Sequence, residues 1–293
     1  MLWQTTRFPV DLSQPRVMGI VNVTPDSFSD GGAHFAADTA KDHCEQLLKE
    51  GAHMLDIGGE STRPGAQPVS AEDEWARVQP VLQHAVTLGV PVSVDTYKPQ
   101  VMQWALDAGA DIINDVWAMR WRGDSAGASP RHASAAQVIA QHGACGVCLM
   151  HMHREPQTMQ TAPMQGDAVP QVAQFLLAAA QDLEAAGVDR SRICLDYGIG
   201  FGKTMAQNFA LLARQRELLA LGYPLLAGWS RKSSLAAAAA LGDSSRLTVS
   251  VAAAVLAVER GARVLRVHDV AATVQGLAIW SAMHIQDTQT ANK

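Results

Sequence analysis

Basic side chains follow several of the short apolar runs in this chain. They are Arg63, Lys232, Arg266 and His268. An arginine binds phosphate oxygens through a bidentate fork, and a lysine binds them as a compact positive charge. A solvated rim that binds nothing in particular is the alternative interpretation. The shared position of these residues favours a site for phosphate or pyrophosphate.

Acidic and amide side chains end other apolar runs. Asp95, Asn114 and Asp196 each lie at or next to the end of such a run. Each residue alone could simply cap the helix that follows it. Together they are hydrogen-bond acceptors that suit a heterocycle rich in N–H groups. Acceptors and cations combined predict a ligand with a flat nitrogenous ring and an anionic tail.

The elements that must position these side chains are eight predicted strands, which alternate with eight helical patterns. This alternation is typical of a parallel sheet, and eight units of each kind predict a single closed (β/α)8 barrel, with its site at the carboxyl ends of the strands. A doubly wound open sheet lacks its usual glycine-rich turn after the first strand. The predicted strands are Val17–Val23, Met54–Ile57, Val92–Asp95, Ile112–Asp115, Gly146–Met150, Ile193–Asp196, Leu225–Ala227 and Val264–Val267, and the predicted helices are Asp38–Glu50, Ala71–Leu88, Pro99–Ala108, Ser134–His142, Val169–Ala186, Asn208–Leu219, Arg246–Arg260 and Ala271–His284.

Composition narrows the class of protein. The 293 residues carry a net charge of −5, and the basic residues are scattered, so we expect no nucleic-acid partner. No secretory signal opens the chain, and the longest uncharged apolar run, Thr248 to Val258, is about half a bilayer span. We therefore expect a cytoplasmic protein without a membrane partner. Residues 1–293 are predicted to form one domain with a core from about 15 to 285.

Cysteine and histidine pairs raise the question of a metal. Cys145 and Cys148 form a C-x-x-C, but within a predicted strand their side chains point to opposite faces, so buried thiols are expected. His151 and His153 could face the same way and chelate zinc. A zinc site needs a third protein ligand, and none is evident.

Eight motifs cover the chain from about Val17 to Ile279. They are Met18–Gly32, Asp56–Gly65, Ser93–Thr96, Ile112–Val116, Leu149–Met152, Gly198–Lys203, Ser230–Ser233 and Arg266–Asp269. In identity and order these motifs resemble those of the dihydropteroate synthase family. The resemblance implies a transferase that joins 6-hydroxymethyl-7,8-dihydropterin pyrophosphate to p-aminobenzoate in folate biosynthesis, is a target of sulfonamides, and forms a homodimer through its later helices.

The resemblance also implies roles for individual residues. Mg²⁺ would enter with the pyrophosphate and contact Asn22. Asp95, Lys232 and Arg63 are the expected catalytic residues. The expected pterin contacts are Asp95, Asn114, Met150, Asp196, Phe201, Gly228 and Lys232, those to pyrophosphate are Asn22, Arg63, Arg266 and His268, and those to p-aminobenzoate are Phe28, Thr62, Pro64 and Ser233.

Three features depart from the family pattern. Tyr197 stands where the family usually has proline, which is expected to put a bulky ring beside the pterin pocket. Arg154 replaces a glycine, and the segment Trp117 to Arg131 is unusually long. A pterin-binding methyltransferase barrel is one alternative, but it would have no reason to keep Thr62–Pro64 together with Ser230–Ser233. A non-catalytic pterin-binding homologue is the other, and turnover distinguishes it from the synthase.

Overall fold

In a computed structural model the chain is described at residues 1–24, 32–62, 65–123, 133–156, 158–159, 161–242 and 245–291, with backbone alone at 32–36 and 286–291. The strands are β1 (Leu2–Gln4), β2 (Pro9–Asp11), β3 (Arg16–Asn22), β4 (Met54–Gly58), β5 (Val92–Asp95), β6 (Ile112–Asp115), β7 (Gly146–Met150), β8 (Ile193–Asp196), β9 (Leu225–Ala227) and β10 (Val264–Val267). The helices are α1 (Gly32–Lys49), α2 (Ala71–Ala85), α3 (Pro99–Asp107), α4 (Ala135–His142), α5 (Ala168–Ala185), α6 (Met205–Ala213), α7 (Gln215–Leu219), α8 (Ser233–Ala238), α9 (Leu247–Glu259) and α10 (Val270–Ala291).

Strands β3 to β10 are parallel and close into a barrel, with β10 paired to β3. This confirms the predicted (β/α)8 barrel, and six of the eight predicted strands have the observed bounds. The predicted helix Asn208–Leu219 was wrong in continuity, because the chain breaks it at Arg214 into α6 and α7. None of the described helices is long and apolar enough to cross a membrane.

Local sequence signals explain where the helices begin and end. Ser70 caps α2 by accepting a hydrogen bond from the Asp73 backbone N–H, and reciprocal capping boxes start α4 at Ser134 and α6 at Thr204. Glycines in left-handed conformation follow seven helical segments, which returns the chain toward the next strand. They are Gly51, Gly89, Gly109, Gly143, Gly187, Gly222 and Gly261.

An antiparallel hairpin of β1 and β2, which the sequence interpretation missed, closes the amino-terminal end of the barrel. The Trp3 indole N–H donates to the Arg192 carbonyl at 2.8 Å, and Arg7 pairs with buried Asp111 at 2.6 Å. Trp3 is fully buried among inward-facing strand side chains. That cluster consists of Trp3, Val10, Leu12, Met18, Met54, Ile112, Cys148, Cys194, Leu226 and Val264.

Strand register brings the polar strand ends together at the opposite end of the barrel. Asn22 is level with Gly58, Gly58 with Asp95, and Asp95 with Asn114, each on adjacent strands. Farther round, Met150 is level with Asp196. Because side chains alternate between the two faces of a strand, residues that are level on adjacent strands point to the same face of the sheet, here the barrel interior.

The expected position of Tyr197 was wrong. Its ring lies among the helices outside the barrel, fully buried, and its hydroxyl donates to Gln215 Oε1 at 2.8 Å and accepts from the Trp229 indole at 3.2 Å. Asp196, the preceding residue, points inward, so Tyr197 must point outward. Arg154 retains the turn that a glycine would make, because it adopts a φ of 62°.

Candidate active site

One arginine joins two carboxylates at the carboxyl end of the barrel. Arg266 Nε lies 2.5 Å from Asp56 Oδ2, and an Arg266 Nη lies 2.7 Å from Asp95 Oδ2. Burial raises the pKa of Asp95 to about 7, against the opposing effect of Arg266. Two carboxylates therefore share one guanidinium, which leaves more acceptors than donors in this group.

Asp56 is a site residue that sequence reasoning missed. Its side chain is fully buried and accepts from Arg266 and, at 3.3 Å, from the Asn114 amide. Among the described residues its Oδ1 atom has no partner. The signal was present in the sequence, because Asp56 is a charged residue inside an otherwise apolar strand, two residues from its end. It holds two expected pterin and pyrophosphate contacts in place.

Gly58 leaves open the space between Asn22 and Asp95. A Cβ at this glycine would lie 3.6 Å from Asp95 Cβ, 3.8 Å from Asp95 Oδ2 and 3.9 Å from Asn22 Oδ1. The Asn22 amide oxygen, the expected Mg²⁺ contact, thus lies beside the expected pterin-binding acid. Any side chain larger than hydrogen at position 58 would occupy the gap between them.

The Asp196 carboxylate also has a glycine beside it, and it is held by a backbone hydrogen bond. Its Oδ1 accepts from the Gly198 backbone N–H at 2.7 Å, and a Cβ at Gly228 would lie 3.9 Å from its Oδ2. Burial raises the pKa of Asp196, while Gly198 and then Lys232 act to lower it. One carboxylate oxygen is therefore fixed by backbone, and the other faces the gap left by Gly228.

Lys232 and Phe201 lie together above this carboxylate. Lys232 Nζ is 4.4 Å from the Phe201 ring centroid, which is a cation–π contact. Phe201 also packs against a second apolar cluster that contains Met150 and Tyr97. The structure thus brings Met150, Phe201, Lys232 and Asp196 to one side of the barrel mouth.

A buried lysine holds the loop that carries Phe201. Lys203 Nζ donates to the carbonyls of Gly198 at 2.7 Å, Phe201 at 3.2 Å and His151 at 3.3 Å. Burial lowers its pKa to about 7. With its donors taken by backbone, Lys203 serves to shape the loop rather than to bind substrate.

His268 differs from the cation that the sequence suggested. Burial lowers its pKa to about 3, so its ring is neutral near pH 7. Its Nδ1 is 3.0 Å from Ser230 Oγ, which also accepts from the His268 backbone N–H at 3.1 Å. If the hydroxyl donates to Nδ1, the ring presents Nε2–H as a neutral donor.

The remaining predicted residues fall into two groups. Thr62 is half-buried in the loop after β4, and Ser233 is exposed at the first position of α8. Phe28, Arg63 and Pro64 lie outside the described residues. The expected roles of all five toward p-aminobenzoate or pyrophosphate stay predictions.

Within the described residues, no three His, Cys, Asp or Glu side chains converge on a metal-sized site. His151 is buried with its ring edge-on to Phe175, and burial lowers its pKa to about 2. Cys145 and Cys148 are buried free thiols in different apolar clusters.

Comparison with known proteins agrees with this geometry. The model of the pterin binding enzyme family matches residues 18–268. A dihydropteroate synthase of Neisseria meningitidis serogroup C is 49% identical over 97% of this chain and 98% of its own. The chain therefore belongs to the pterin binding enzymes and, among them, to the dihydropteroate synthases.

Solved structures of such enzymes have the same fold. A Burkholderia cenocepacia dihydropteroate synthase complexed with 7,8-dihydropteroate superposes with a TM-score of 0.84, is 44% identical, and covers 98% of each chain. A Yersinia pestis dihydropteroate synthase with a sulfonamide drug complex gives a TM-score of 0.87 at 41% identity, covering 97% of this chain and 99% of its own.

Proposed function

We propose that this enzyme condenses 6-hydroxymethyl-7,8-dihydropterin pyrophosphate with p-aminobenzoate, yielding 7,8-dihydropteroate and pyrophosphate. The observation that carries the proposal is the set of acceptors, Asp95, Asn114 and Asp196, brought together at one barrel mouth with Lys232 and Arg266. A ring with several N–H donors matches the acceptors, and an anionic tail matches the cations.

The pterin ring binds across the barrel mouth in this proposal. Asp196 Oδ2 and Asp95 accept ring N–H groups, Asn114 contributes its amide, and Met150 and Phe201 pack against the ring faces. The N–H groups of the ring also donate to Asp95, which shares the Arg266 guanidinium with another carboxylate. Their partial positive charge stabilises the Asp95 carboxylate, whose pKa is raised by burial. The pterin ring therefore both satisfies the hydrogen-bond acceptors and stabilises the negative charge of Asp95.

Loss of pyrophosphate is the difficult step. Breaking the carbon–oxygen bond places positive charge on the methylene carbon and negative charge on the departing pyrophosphate. Lys232, Arg266 and the neutral His268 donor stabilise the charge that grows on the leaving group, and Arg63 is predicted to add to them, which favours the transition state over the ground state. Asp95, close to the ring, stabilises the positive charge.

Magnesium fits the oxygen donors at this edge. Mg²⁺ takes few protein oxygens and completes its shell with water and phosphate oxygens, so one amide oxygen from Asn22 is an adequate protein contribution. Bound there, the ion would neutralise charge on the pyrophosphate. No further protein ligand is needed.

The amine of p-aminobenzoate then attacks the methylene carbon without a strong base, since an arylamine is neutral near pH 7. Its new bond to carbon forms after the bond to pyrophosphate has broken, and the amine proton leaves to solvent. In this proposal Thr62 and Ser233, with Phe28 and Pro64, surround the second substrate, and sulfonamides occupy the same place.

Pyrophosphate release by the purified protein tests the proposal. The assay contains Mg²⁺ and the pterin pyrophosphate, with and without p-aminobenzoate, and includes Asp95→Asn beside the exposed control Asp107→Asn. We expect release that needs both substrates, falls about 10²-fold or more in Asp95→Asn, and is unchanged in the control. Tight pterin binding without turnover would instead identify a non-catalytic homologue.

A homodimer is part of the proposal. Leu256 on α9 and Ile279 and Met283 on α10 are 45%, 75% and 49% exposed, and Gly276 lets the two helices pack closely through Val251. Exposed apolar side chains on adjacent helices support self-association. Light scattering should give twice the chain mass for the wild type and one chain mass for Ile279→Glu; a monomeric wild type would contradict the proposal.

We also propose that residues 1–293 form a single domain in the cytoplasm. All four cysteines are free and buried, as is usual for proteins of a reducing compartment. One cooperative thermal transition, sensitive to pterin, would support a single domain; two separate transitions would contradict it.

A further inference from the structure

The loop after β4 is held in place at its second residue, Glu60, by a hydrogen bond and an ion pair. Glu60 Oε1 accepts from the Tyr97 hydroxyl at 2.8 Å, and Glu60 Oε2 is ion-paired with Lys98. Tyr97 and Lys98 follow β5, three residues or fewer after Asp95. The loop that carries Thr62 is therefore tied to the segment that carries the expected pterin-binding acid.

Lys98 extends this connection to a helix. Its side chain is 6% exposed, and its Nζ also lies 2.5 Å from Glu74 Oε2 on α2, a residue only 1% exposed. Burial raises the pKa of Glu74, and Lys98 acts in the opposite direction. We call Glu60, Glu74, Tyr97 and Lys98 the Lys98 cluster. It joins two loops and one helix through a single ammonium group.

The start of the loop is pressed against the same helix. Arg77 donates to the Gly59 carbonyl at 2.9 Å. A Cβ at Gly59 would lie 2.9 Å from the Glu74 carbonyl oxygen and 2.8 Å from Val78, which is too close for any side chain. Backbone position at Gly59 and Glu60 is thus fixed from two sides, two residues before Thr62.

Stability alone does not explain the Lys98 cluster. Taking two carboxylates and one ammonium out of water is costly, and buried ion pairs are often matched or exceeded in stability by apolar residues of the same volume. Among the described residues Glu74 Oε1 has no partner, which adds to that cost. Directional charge contacts do, however, fix geometry more narrowly than apolar packing does.

We propose that Glu60 and Lys98 are positioning residues for the second substrate, whose ion pair sets the place of Thr62 and hence of p-aminobenzoate. Neither residue needs to touch substrate. This inference rests on the proposed function and deepens it. Loss of the ion pair should weaken p-aminobenzoate binding while leaving the pterin contacts at Asp95, Asn114 and Asp196 in place.

Steady-state kinetics and direct pterin binding together test this division. Glu60→Gln removes the charge but keeps an acceptor for Tyr97, and Tyr97→Phe removes only one hydrogen bond. We expect Glu60→Gln to raise the KM for p-aminobenzoate about tenfold, which corresponds to about 1.4 kcal/mol, and Tyr97→Phe to raise it less. The Kd of the pterin pyrophosphate, measured by calorimetry with Mg²⁺, should change less than about twofold.

The matched control is Glu45→Gln, which makes the same change in the exposed Glu45–Lys49 pair on α1 and should leave both constants unchanged. Lys98→Met is a harsher variant that leaves two carboxylates without their cation. Equal loss of pterin and p-aminobenzoate affinity in Glu60→Gln, or no change in either, would overturn the inference. A wild type without turnover would instead overturn the proposed function itself, so the two failures are distinguishable.

Discussion

The two ends of the barrel are built from the same strands yet have opposite character. At the amino-terminal end, inward side chains such as Met18, Met54 and Cys194 pack on Trp3 of the hairpin. Two residues farther along β4 and β8 the inward side chains are Asp56 and Asp196. A step of two residues keeps the same face of a strand, so one strand supplies both the packing layer and the chemical layer.

This difference shows that the amino-terminal end of the barrel serves stability and the carboxyl end serves function. Apolar burial at the hairpin end stabilises the fold by an amount roughly proportional to the area removed from water. Buried carboxylates at the other end cost free energy unless they are paired. Variants at the two ends should therefore fall into separate classes, and the following predictions test how strict that separation is.

Arg266→Leu should have the largest effect, because it should lower both the free energy of unfolding and kcat/KM. It leaves Asp56 and Asp95 buried without their shared cation, which typically costs about 3–5 kcal/mol. It also removes a leaving-group contact, so we expect kcat/KM to fall about 10³-fold. Urea unfolding and pyrophosphate release measure the two losses, and a fully stable but inactive variant would show that the carboxylates find other partners.

Trp3→Ala tests the amino-terminal end of the barrel, where we expect a loss of stability without a loss of activity. Removing this fully buried side chain should lower the free energy of unfolding by about 3–5 kcal/mol. Well below the new transition midpoint, kcat/KM should match that of the wild type, because the Trp3 ring packs at the amino-terminal end of the barrel and the site residues lie at the carboxyl end. A large loss of kcat/KM in folded Trp3→Ala would mean that the two ends are coupled.

Asp95→Asn should lose activity and become more stable than the wild type as pH rises. Folding raises the pKa of Asp95 to about 7, so its stabilising contribution is complete below its unfolded pKa of about 4 and is lost as pH rises through about 7. Asparagine does not titrate. Chemical denaturation from about pH 4 to pH 8 should show a gap that grows to the order of 1–3 kcal/mol; a constant gap would contradict the assignment.

Arg154→Gly should have the smallest effect. Glycine adopts the observed φ of 62° without the steric penalty of a side chain, although it also gains entropy in the unfolded state. We expect a gain of about 0.5–1 kcal/mol in the free energy of unfolding, with unchanged kcat. Thermal unfolding should show the higher midpoint, and a lower one would indicate that the arginine side chain makes contacts worth more than the strain.

The sequence was sufficient for the barrel, the family and the reaction, because alternating periodicity and the order of motifs are local signals. It was not sufficient for the hairpin, since β1 and β2 are three residues each and their docking partners Asp111 and Arg192 lie far along the chain. The hydrogen-bond partners that the Tyr197 hydroxyl finds outside the barrel, Gln215 and Trp229, are likewise distant from it in sequence.

Site residues, too, could be predicted where the signal was local and not where it depended on distant contacts. Polar residues that end a strand, such as Asp95 and Asp196, could be proposed because strand ends in a barrel converge. Asp56 lies within a strand, and Arg266 reaches it only because β10 pairs with β3, which in turn pairs with β4. The neutral state of His268 depends on its burial, which no local pattern records.

The hairpin has a consequence for how this chain is made. Trp3 is synthesised 189 residues before its hydrogen-bond partner Arg192, which at about 5–20 residues per second is roughly 10 to 40 seconds. Asp111, the partner of Arg7, is made earlier and gives the hairpin its first distant contact. The Trp3 indole stays without its carbonyl partner until the segment just before β8 has been synthesised.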